Sequence, residues 1–198
     1  MTSSDQQLVR RALKGEERAF EELVRRYQKP IVNFIARMVG NYDLALDLSQ
    51  DVFVKAFVAL RTYNEGFKFG SWIFKIASNT VIDHLRKASP AISSLDKPVA
   101  TEDDEIQMDL ASTALVPDEE LEQTETRNIL VQLIRQLPEA YRHMIVLRHI
   151  NELSYEEMAE ITELPLGTVK NRTFRAREMM RHMIEKLEGK GVRISSRG

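Results

Sequence analysis

The feature that most constrains the fold is a stretch of Ser, Pro and acidic residues in the middle of the chain. Residues 88–122 hold one Lys against 10 Asp and Glu, and their apolar residues follow no sustained period. A structureless loop of this length inside one compact domain is unusual, so the stretch favours a linker between two domains. The predicted parts are an N-terminal domain at 5–88, an acidic linker at 89–122, a C-terminal domain at 123–187 and a tail at 188–198.

Charge is distributed unevenly along the chain, although its net charge is only -2. Residues 1–87 hold 14 Lys and Arg against 10 Asp and Glu, and residues 123–198 hold 13 against 10. Two basic domains therefore flank an acidic linker, and the small net charge does not argue against nucleic-acid binding.

Composition excludes several other classes of protein. The chain has no Cys, which excludes disulfides and thiolate metal sites and fits a reducing compartment. No apolar run approaches the roughly 20 residues of a membrane span, and the N-terminus becomes charged too early for a signal peptide. We therefore expect a cytoplasmic protein without membrane insertion.

Apolar residues recur at helical spacing in both predicted domains, and no stretch alternates as a strand would. In the N-terminal domain the apolar stripes run over 20–38, 44–60 and 73–85. Gly40 is placed to end the first of these helices. In the C-terminal domain helices are predicted near 124–136, 138–149, 154–161 and 166–187. The predicted fold class is all-α.

The strongest local signal is a predicted helix-turn-helix at 153–178. Ser154 and Glu157 form a capping box at the start of its first helix. Pro165 lacks an amide donor, so it ends the turn and lets a second helix begin near 166. That second helix is rich in Lys and Arg and has the chemistry of a DNA-binding helix.

Residues of suitable size to reach base edges in a major groove lie near the start of this second helix, namely Thr168, Lys170 and Asn171, with Arg175 on a nearby face. The same helix is expected to turn Val169, Phe174 and Met180 towards the core. The alternative is that its cations form a solvated face, and a helix-turn-helix alone indicates only DNA binding.

The second helix of the N-terminal domain carries an acidic stripe. Asp43, Asp47 and Asp51 lie four residues apart, and like charges at this spacing destabilise a helix by a few tenths of a kcal/mol. A cationic partner would reverse that penalty, so Asp47, Gln50 and Asp51 form a candidate docking face. The alternative is a solvated stripe whose first carboxylates stabilise the helix N-terminus.

The third helix of this domain places Asn79, Asp83 and Arg86 on one side. The loop before it combines Lys68 with aromatic residues, which are Tyr63, Phe67 and Phe69. Aromatic side chains beside cations suit unstacked single-stranded bases, where stacking contributes ~1–3 kcal/mol per base. The alternative is that the aromatics are core residues, which we favour for Trp72 and Phe74 but not for the loop.

Three segments in order, DLALDLSQDVFVKAF, FGSWIFKIASNTVIDHLRK and LPEAYRHMIVLRHINELSYEEMAEITELPLGTVKNRTFRARE, resemble the sigma-70 superfamily. More narrowly, the chain resembles the extracytoplasmic-function group, which keeps only regions 2 and 4. Three motifs in this order are far more specific than any one of them.

The resemblance implies a role for each candidate residue. Asp47, Gln50 and Asp51 would bind the coiled-coil clamp of the largest polymerase subunit. The residues implied at the minus-10 element are Phe69, Asn79, Asp83 and Arg86. The residues implied at the minus-35 element are Thr168, Lys170, Asn171, Thr173, Phe174 and Arg175.

The implied function is that of a bacterial alternative sigma factor, which responds to stress and directs core RNA polymerase to specific promoters. Its implied partners are the clamp and flap of the polymerase, promoter DNA and an anti-sigma factor, with no cofactor. The acidic linker would either thread a basic channel of the polymerase or act as a solubilising spacer. It would reach about 110 Å when extended, whereas two helical turns of DNA cover about 70 Å.

Other functions stay open from the residues alone. A stand-alone helix-turn-helix regulator would bind its operator without polymerase. A decoy that mimics a sigma factor would lack the basic second helix that this chain has. An enzyme is disfavoured because the chain shows no phosphate loop or nucleophile elbow, and because metal-ligand spacing is absent among its histidines, which are His84, His143, His149 and His182.

Overall fold

The structure, a computed structural model, describes residues 4–88 and 121–189. Within these ranges the chain is helical and has no strand, which confirms the all-α prediction. Most of the predicted linker, and the tail beyond Gly189, lie outside the described residues. No helix in the described ranges has the length and apolarity needed to cross a membrane.

Residues 4–88 form the N-terminal lobe, and residues 121–189 form the C-terminal lobe. The N-terminal lobe consists of α1 (Asp5–Leu13), α2 (Glu17–Val39), α3 (Tyr42–Ala59), a 3-10 turn (Leu60–Thr62) and α4 (Phe69–Ala88). The C-terminal lobe consists of α5 (Leu121–Gln136), α6 (Glu139–Ile145), a π-helical turn (Val146–Ile150), α7 (Tyr155–Thr162) and α8 (Leu166–Glu188).

The ends of these helices follow from a few local residues. Gly40 ends α2 in the left-handed conformation at φ 79°, as its position in the sequence predicts. Ser154 and Glu157 form the predicted capping box of α7. Helix α1 was not predicted, although Ser4 and Gln7 form an equivalent capping box at its start.

In the N-terminal lobe, α2 packs against α3 and α4 and supplies much of the core. Phe34 and Ile35 of α2 are fully buried, and the Phe34 ring meets the Phe74 ring edge to face at 5.6 Å. Val52 of α3 and Val81 of α4 complete this core. Phe74 is therefore a core residue, as the sequence favours.

The two lobes share one core. The main cluster of buried apolar side chains joins Phe34 and Ala77 of the N-terminal lobe to Met144 and Met158 of the C-terminal lobe. Helix α4 lies against α7, and α2 lies against α5 and α6. The sequence predicts two domains and says nothing of this contact, because an apolar stripe does not reveal which neighbour will cover it.

Candidate nucleic-acid interface

The acidic stripe of α3 faces solvent. Asn41 begins the helix, and its side chain accepts a hydrogen bond from the Leu44 amide at 3.0 Å. Asp47, Gln50 and Asp51 are all exposed on one side, as their spacing predicts. These exposed residues are interspersed with buried ones at helical spacing. Because the buried side of α3 packs on the core, the carboxylates point away from it.

An apolar patch continues the acidic stripe towards the end of α3, and the sequence analysis missed it. Val54, Phe57 and Val58 are 64%, 58% and 75% exposed. Of these three side chains, Phe57 alone contacts another aromatic residue, and the centre of its ring lies 5.1 Å from that of Phe20. The signal was available, because these residues fall at helical spacing after Asp51 and opposite the buried stripe of the helix.

Phe69 is a core residue, which corrects its prediction as a base-stacking aromatic. It is only 2% exposed, and it is the first residue of α4. Its ring lies 5.3 Å from Tyr27, 5.6 Å from Tyr63 and 5.4 Å from Trp72. Spacing could not reveal this, because the direction of a side chain at a loop-to-helix junction depends on what packs against it.

The aromatic cluster is anchored to α1. The Tyr27 hydroxyl donates to the Asp5 carboxylate at 2.5 Å, and burial raises the pKa of Tyr27 well above its usual value, with the hydrogen bond adding to the rise. Arg10 of α1 makes a bidentate ion pair with Glu65 in the loop. Helix α1 therefore fixes the loop before α4 in place.

The exposed part of this loop is Phe67 with Lys68. Phe67 is 48% exposed, and its carbonyl accepts a hydrogen bond from the Tyr63 hydroxyl at 2.6 Å. Asn64 closes the turn by accepting a hydrogen bond from the Gly66 amide at 2.9 Å. Phe67 is therefore the loop aromatic that remains free to stack.

The outer face of α4 presents the three polar residues that the spacing placed together. Asn79, Asp83 and Arg86 are exposed along one side of the helix. They line a cleft of about 370 Å³ whose opposite wall belongs to the C-terminal lobe. That wall includes Glu139, and burial raises the pKa of this carboxyl. Across the described ranges no group of His, Asp and Glu is placed to hold a metal.

Helix α8 presents a cationic outer face. Lys170, Asn171 and Arg175 are exposed on this side, and Thr168 is half-buried near the start of the helix. Phe174 lies among them and is 63% exposed, so the prediction that it faces the core is wrong. Its inclusion in the predicted DNA-binding set is compatible with this exposure.

Thr173 is the one member of that set which α8 turns inward. It is fully buried, and its hydroxyl donates to the Val169 carbonyl at 2.8 Å. Its prediction as a DNA contact is therefore corrected, because a side chain bonded to its own helix has no free donor for a base. Val169 is buried and Met180 half-buried, as predicted.

The turn between α7 and α8 positions the cationic face. Ser154 and Glu157 exchange hydrogen bonds of 3.1 and 2.8 Å at the start of α7. Glu163 ends α7 with a positive φ of 57°, and α8 begins directly after Pro165. Lys170 lies 5.9 Å above the Tyr155 ring, so α7 also orients a cation of α8.

Each of the two lobes matches the model of a known protein family. The family model described as Sigma-70 region 2 matches residues 23–90, and the model described as Sigma-70, region 4 matches residues 127–180. The ECF RNA polymerase sigma factor SigW of Bacillus subtilis is 36% identical over 180 residues, which cover 90% of this chain and 96% of SigW.

Two solved structures share the fold. CnrH in complex with the cytosolic domain of CnrY aligns with a TM-score of 0.67 and 22% identity, covering 93% of this chain and 99% of that one. The sigma factor RpoE in complex with the anti-sigma factor NepR, from Bartonella quintana, aligns with a TM-score of 0.65 and 23% identity, covering 84% and 96%.

Proposed function

Because this chain belongs to the extracytoplasmic-function (ECF) family of sigma-70 RNA polymerase sigma factors, we propose that its exposed faces divide between polymerase and promoter DNA. It is an alternative sigma factor, and it directs core RNA polymerase to specific promoters. The observation that carries the division of roles is the pairing of an exposed acidic face on α3 with an exposed cationic face on α8.

The acidic face of α3 binds the clamp of the largest polymerase subunit. Asp47 and Asp51 repel each other in the free chain, and a cationic partner turns this penalty into attraction. Gln50 lies between them and adds a hydrogen-bonding group to the same exposed side. The surface thus suits a partner helix that presents Lys or Arg.

The outer face of α4 and the loop before it take the minus-10 element. Asn79, Asp83 and Arg86 supply donors and acceptors for base edges and backbone. Phe67 replaces Phe69 as the aromatic that stacks on an unpaired base, because Phe67 is the loop aromatic that is exposed, whereas Tyr63 and Phe69 are buried.

The cationic face of α8 takes the minus-35 element in the major groove. Arg175 is suited to a bidentate contact with guanine, and Asn171 to adenine. Phe174 is placed to contact a thymine methyl group, and Lys170 to neutralise phosphate. Thr168 lies at the N-terminal end of α8, which is the end that enters the groove in a helix-turn-helix.

Two substitutions separate the proposed roles of α3 and α8. Asp51→Ala should weaken binding to core polymerase by at least about fivefold, because it removes half of the paired carboxylates. Arg175→Ala should leave core binding unchanged and reduce dependence on the minus-35 sequence, at a loss of about 1–3 kcal/mol. Fluorescence anisotropy with labelled protein measures the first, and run-off transcription on matched and mismatched promoters measures the second.

Matched controls are available in the same two lobes, outside the proposed binding faces. Glu17→Ala removes an exposed carboxylate from α2, and Arg181→Ala removes an exposed cation from the later part of α8. Neither should change core affinity or minus-35 dependence. Loss of core binding in Arg175→Ala together with loss of minus-35 dependence in Asp51→Ala would reverse the assignment.

An anti-sigma factor is the regulatory partner that we propose, and the cytoplasm is the compartment. The RpoE structure, which shares this fold, was solved with an anti-sigma factor bound. The chain purified from its own cells should then carry a protein that suppresses run-off transcription and is removable by mild denaturation. Recovery of a fully active chain with polymerase alone would argue against this partner.

A further inference from the structure

Helix α1 lies outside the stretch that matches Sigma-70 region 2, which begins at residue 23, yet it is packed into the N-terminal lobe. Leu8 and Val9 are 3% and 0% exposed and belong to the main core. The helix contacts α2 and the 3-10 turn that leads into the loop before α4. Side chains of α1 are therefore held at a fixed place beside the loop that carries Phe67.

We propose that α1 holds this loop, residues 63–68, in the conformation that stacks Phe67 on an unpaired base of the minus-10 element. Gln6 and Arg10 of α1, bound to Glu65 of the loop, form what we call the α1 brace. They are positioning residues, because they act on the base through Phe67 and do not touch it. The proposal rests on the minus-10 function proposed above for this loop.

The α1 brace holds the loop at a single residue. Arg10 Nε donates to both carboxylate oxygens of Glu65, at 2.9 and 3.0 Å, and Arg10 Nη2 donates to one of them. Gln6 Nε2 donates to the Glu65 carbonyl at 3.1 Å. Gln6 and Arg10 lie four residues apart, on one face of α1. This face therefore fixes both the side chain and the backbone of Glu65.

The two ends of the loop are anchored in the core, whereas its tip faces solvent. Tyr63 at the start and Phe69 directly after the loop are 8% and 2% exposed, but Gly66 and Phe67 are exposed. Gly66 adds backbone freedom at the tip. A loop that becomes ordered only on binding loses affinity for its ligand, so a contact that orders it beforehand strengthens stacking.

Asp5 ties the start of α1 to the aromatic cluster that borders the same loop. Its carboxylate accepts hydrogen bonds from Arg26 Nη1 at 2.7 Å and from the Tyr27 hydroxyl at 2.5 Å. The Tyr27 ring packs on Phe69 with ring centres 5.3 Å apart. Helix α1 is therefore bound both to the tip of the loop and to the residue that follows the loop.

The α1 brace affects the loop more than it affects the whole fold. The Arg10 and Glu65 side chains are 62% and 39% exposed, and ion pairs this exposed contribute little to global stability. Opening of a surface loop costs far less than global unfolding, so a contribution of this size changes the open fraction of the loop by about threefold.

A second ion pair of α1 provides a matched control. Arg11 Nε lies 2.8 Å from Glu16 Oε2, and the two side chains are 47% and 43% exposed, similar to those of the brace. This pair connects α1 to the turn before α2 instead of to the loop. Arg11→Gln therefore removes the same charge from the same helix and should leave the loop unchanged.

The order of the loop can be measured on the free chain. Amide hydrogen exchange of Gly66 and Phe67 should become about threefold faster in Arg10→Gln and in Glu65→Gln. Arg10→Glu combined with Glu65→Arg should restore the original rate, and Arg11→Gln should not alter it. Exchange that is the same in all of these variants would overturn the brace.

Binding of an unpaired minus-10 strand tests the effect on DNA. The probe is a fluorescein-labelled single-stranded oligonucleotide with the non-template sequence of one promoter that the chain transcribes, added to the complex with core polymerase. Arg10→Gln and Glu65→Gln should each weaken binding about threefold, and the charge-swapped pair should restore it. The loss in Glu65→Gln is diagnostic, because removal of a negative charge would by itself strengthen binding to DNA.

The same measurement in a Phe67→Ala background shows whether the brace acts through this ring. Arg10→Gln should then have no further effect, so the two changes are not additive. Tighter binding in Glu65→Gln, no rescue by the charge swap, or full additivity with Phe67→Ala would each overturn the proposal. Failure of the proposed function is a separate result: the unaltered chain would give no transcripts with polymerase, while exchange of the loop amides would still test the brace.

Discussion

At the residue scale, burial decides which predicted contacts remain available. Phe69 and Thr173 are predicted at DNA and are buried, whereas Phe174, which is predicted both to face the core and to contact DNA, is exposed. Helical spacing identifies a face, but a residue at the edge of that face, or at a helix start, can point either way. Asn79, Asp83 and Arg86 were predictable because they follow one another at positions i, i+4 and i+7 of one helix, after its first two turns.

Replacement of Phe69 and of Phe174 by Ala should affect stability and promoter use in opposite ways. Phe69→Ala should destabilise the protein by about 3–5 kcal/mol, because it removes a fully packed ring from the aromatic cluster. Phe174→Ala should change the free energy of unfolding by less than about 0.5 kcal/mol and yet reduce promoter use. Urea unfolding followed by circular dichroism measures the first quantity, and equal destabilisation by both changes would contradict the structure.

His143 makes the stability of the fold sensitive to pH. Burial between the lobes, and then the Arg172 charge, lowers the pKa of His143 from 6.5 to about 4. A buried base with a lowered pKa leaves the fold at full stability above its ordinary pKa, and stability is lost as pH falls from 6.5 towards 4. The free energy of unfolding should therefore fall by roughly 1–2 kcal/mol between pH 7 and pH 5, which urea unfolding at both pH values measures.

The other charged groups around His143 act on this response. Asp83, Arg86, Glu139 and Glu163 line the same cleft. Burial raises the pKa of Glu139, so its protonation at falling pH relieves a penalty and acts in the opposite direction. His143→Gln should remove the histidine part of the change, measured by urea unfolding at both pH values. An unaltered pH response in this variant would exclude His143 as its source.

At the scale of elements, helix ends were predictable and irregular turns were not. Gly40, Pro165 and the Ser154 capping box mark their helix ends in sequence as in structure. The helix predicted at 138–149 instead passes into a π-helical turn at Val146–Ile150. Apolar spacing cannot distinguish that turn from α-helix, and α1 has only nine residues, which is too short for its stripe of Leu8, Val9 and Ala12 to stand out in the sequence.

Gly40 offers a test that separates backbone strain from contact with Arg135. A Cβ at Gly40 would lie 3.2 Å from Arg135 Nε, whereas a Cβ at Gly15 would meet nothing within 4 Å. Both glycines have positive φ, so Gly15→Ala measures the strain alone, about 1 kcal/mol. Gly40→Ala should cost more than this in urea unfolding, because the Arg135 side chain must move. Equal costs would show that Arg135 moves aside without loss of stability.

At the scale of the whole molecule, the two-part organisation followed from the acidic stretch, but the contact between the parts did not. Met144 and Met158 belong to helical stripes that look alike whether they face their own lobe or the other. The pairing of Ser78 with His143 joins residues 65 positions apart, and a single sequence carries no signal for such a partner.

We propose that the acidic residues of the linker enter a basic channel of the polymerase. Replacement of Glu102, Asp103, Asp104 and Glu105 by their amides should then lower initiation several-fold with core affinity unchanged. Abortive and run-off transcripts from one promoter measure the effect. Unchanged transcription would leave the linker as a solubilising spacer.

The central claim is that this chain selects promoters as part of the polymerase and not alone. Run-off transcription with core polymerase on a promoter library, paired with band shifts by the free chain, tests it directly. We predict transcripts that require both promoter elements, together with no tight binding of the same DNA by the free chain. Tight binding of the free chain to one operator, or no transcripts from any promoter, would contradict the claim.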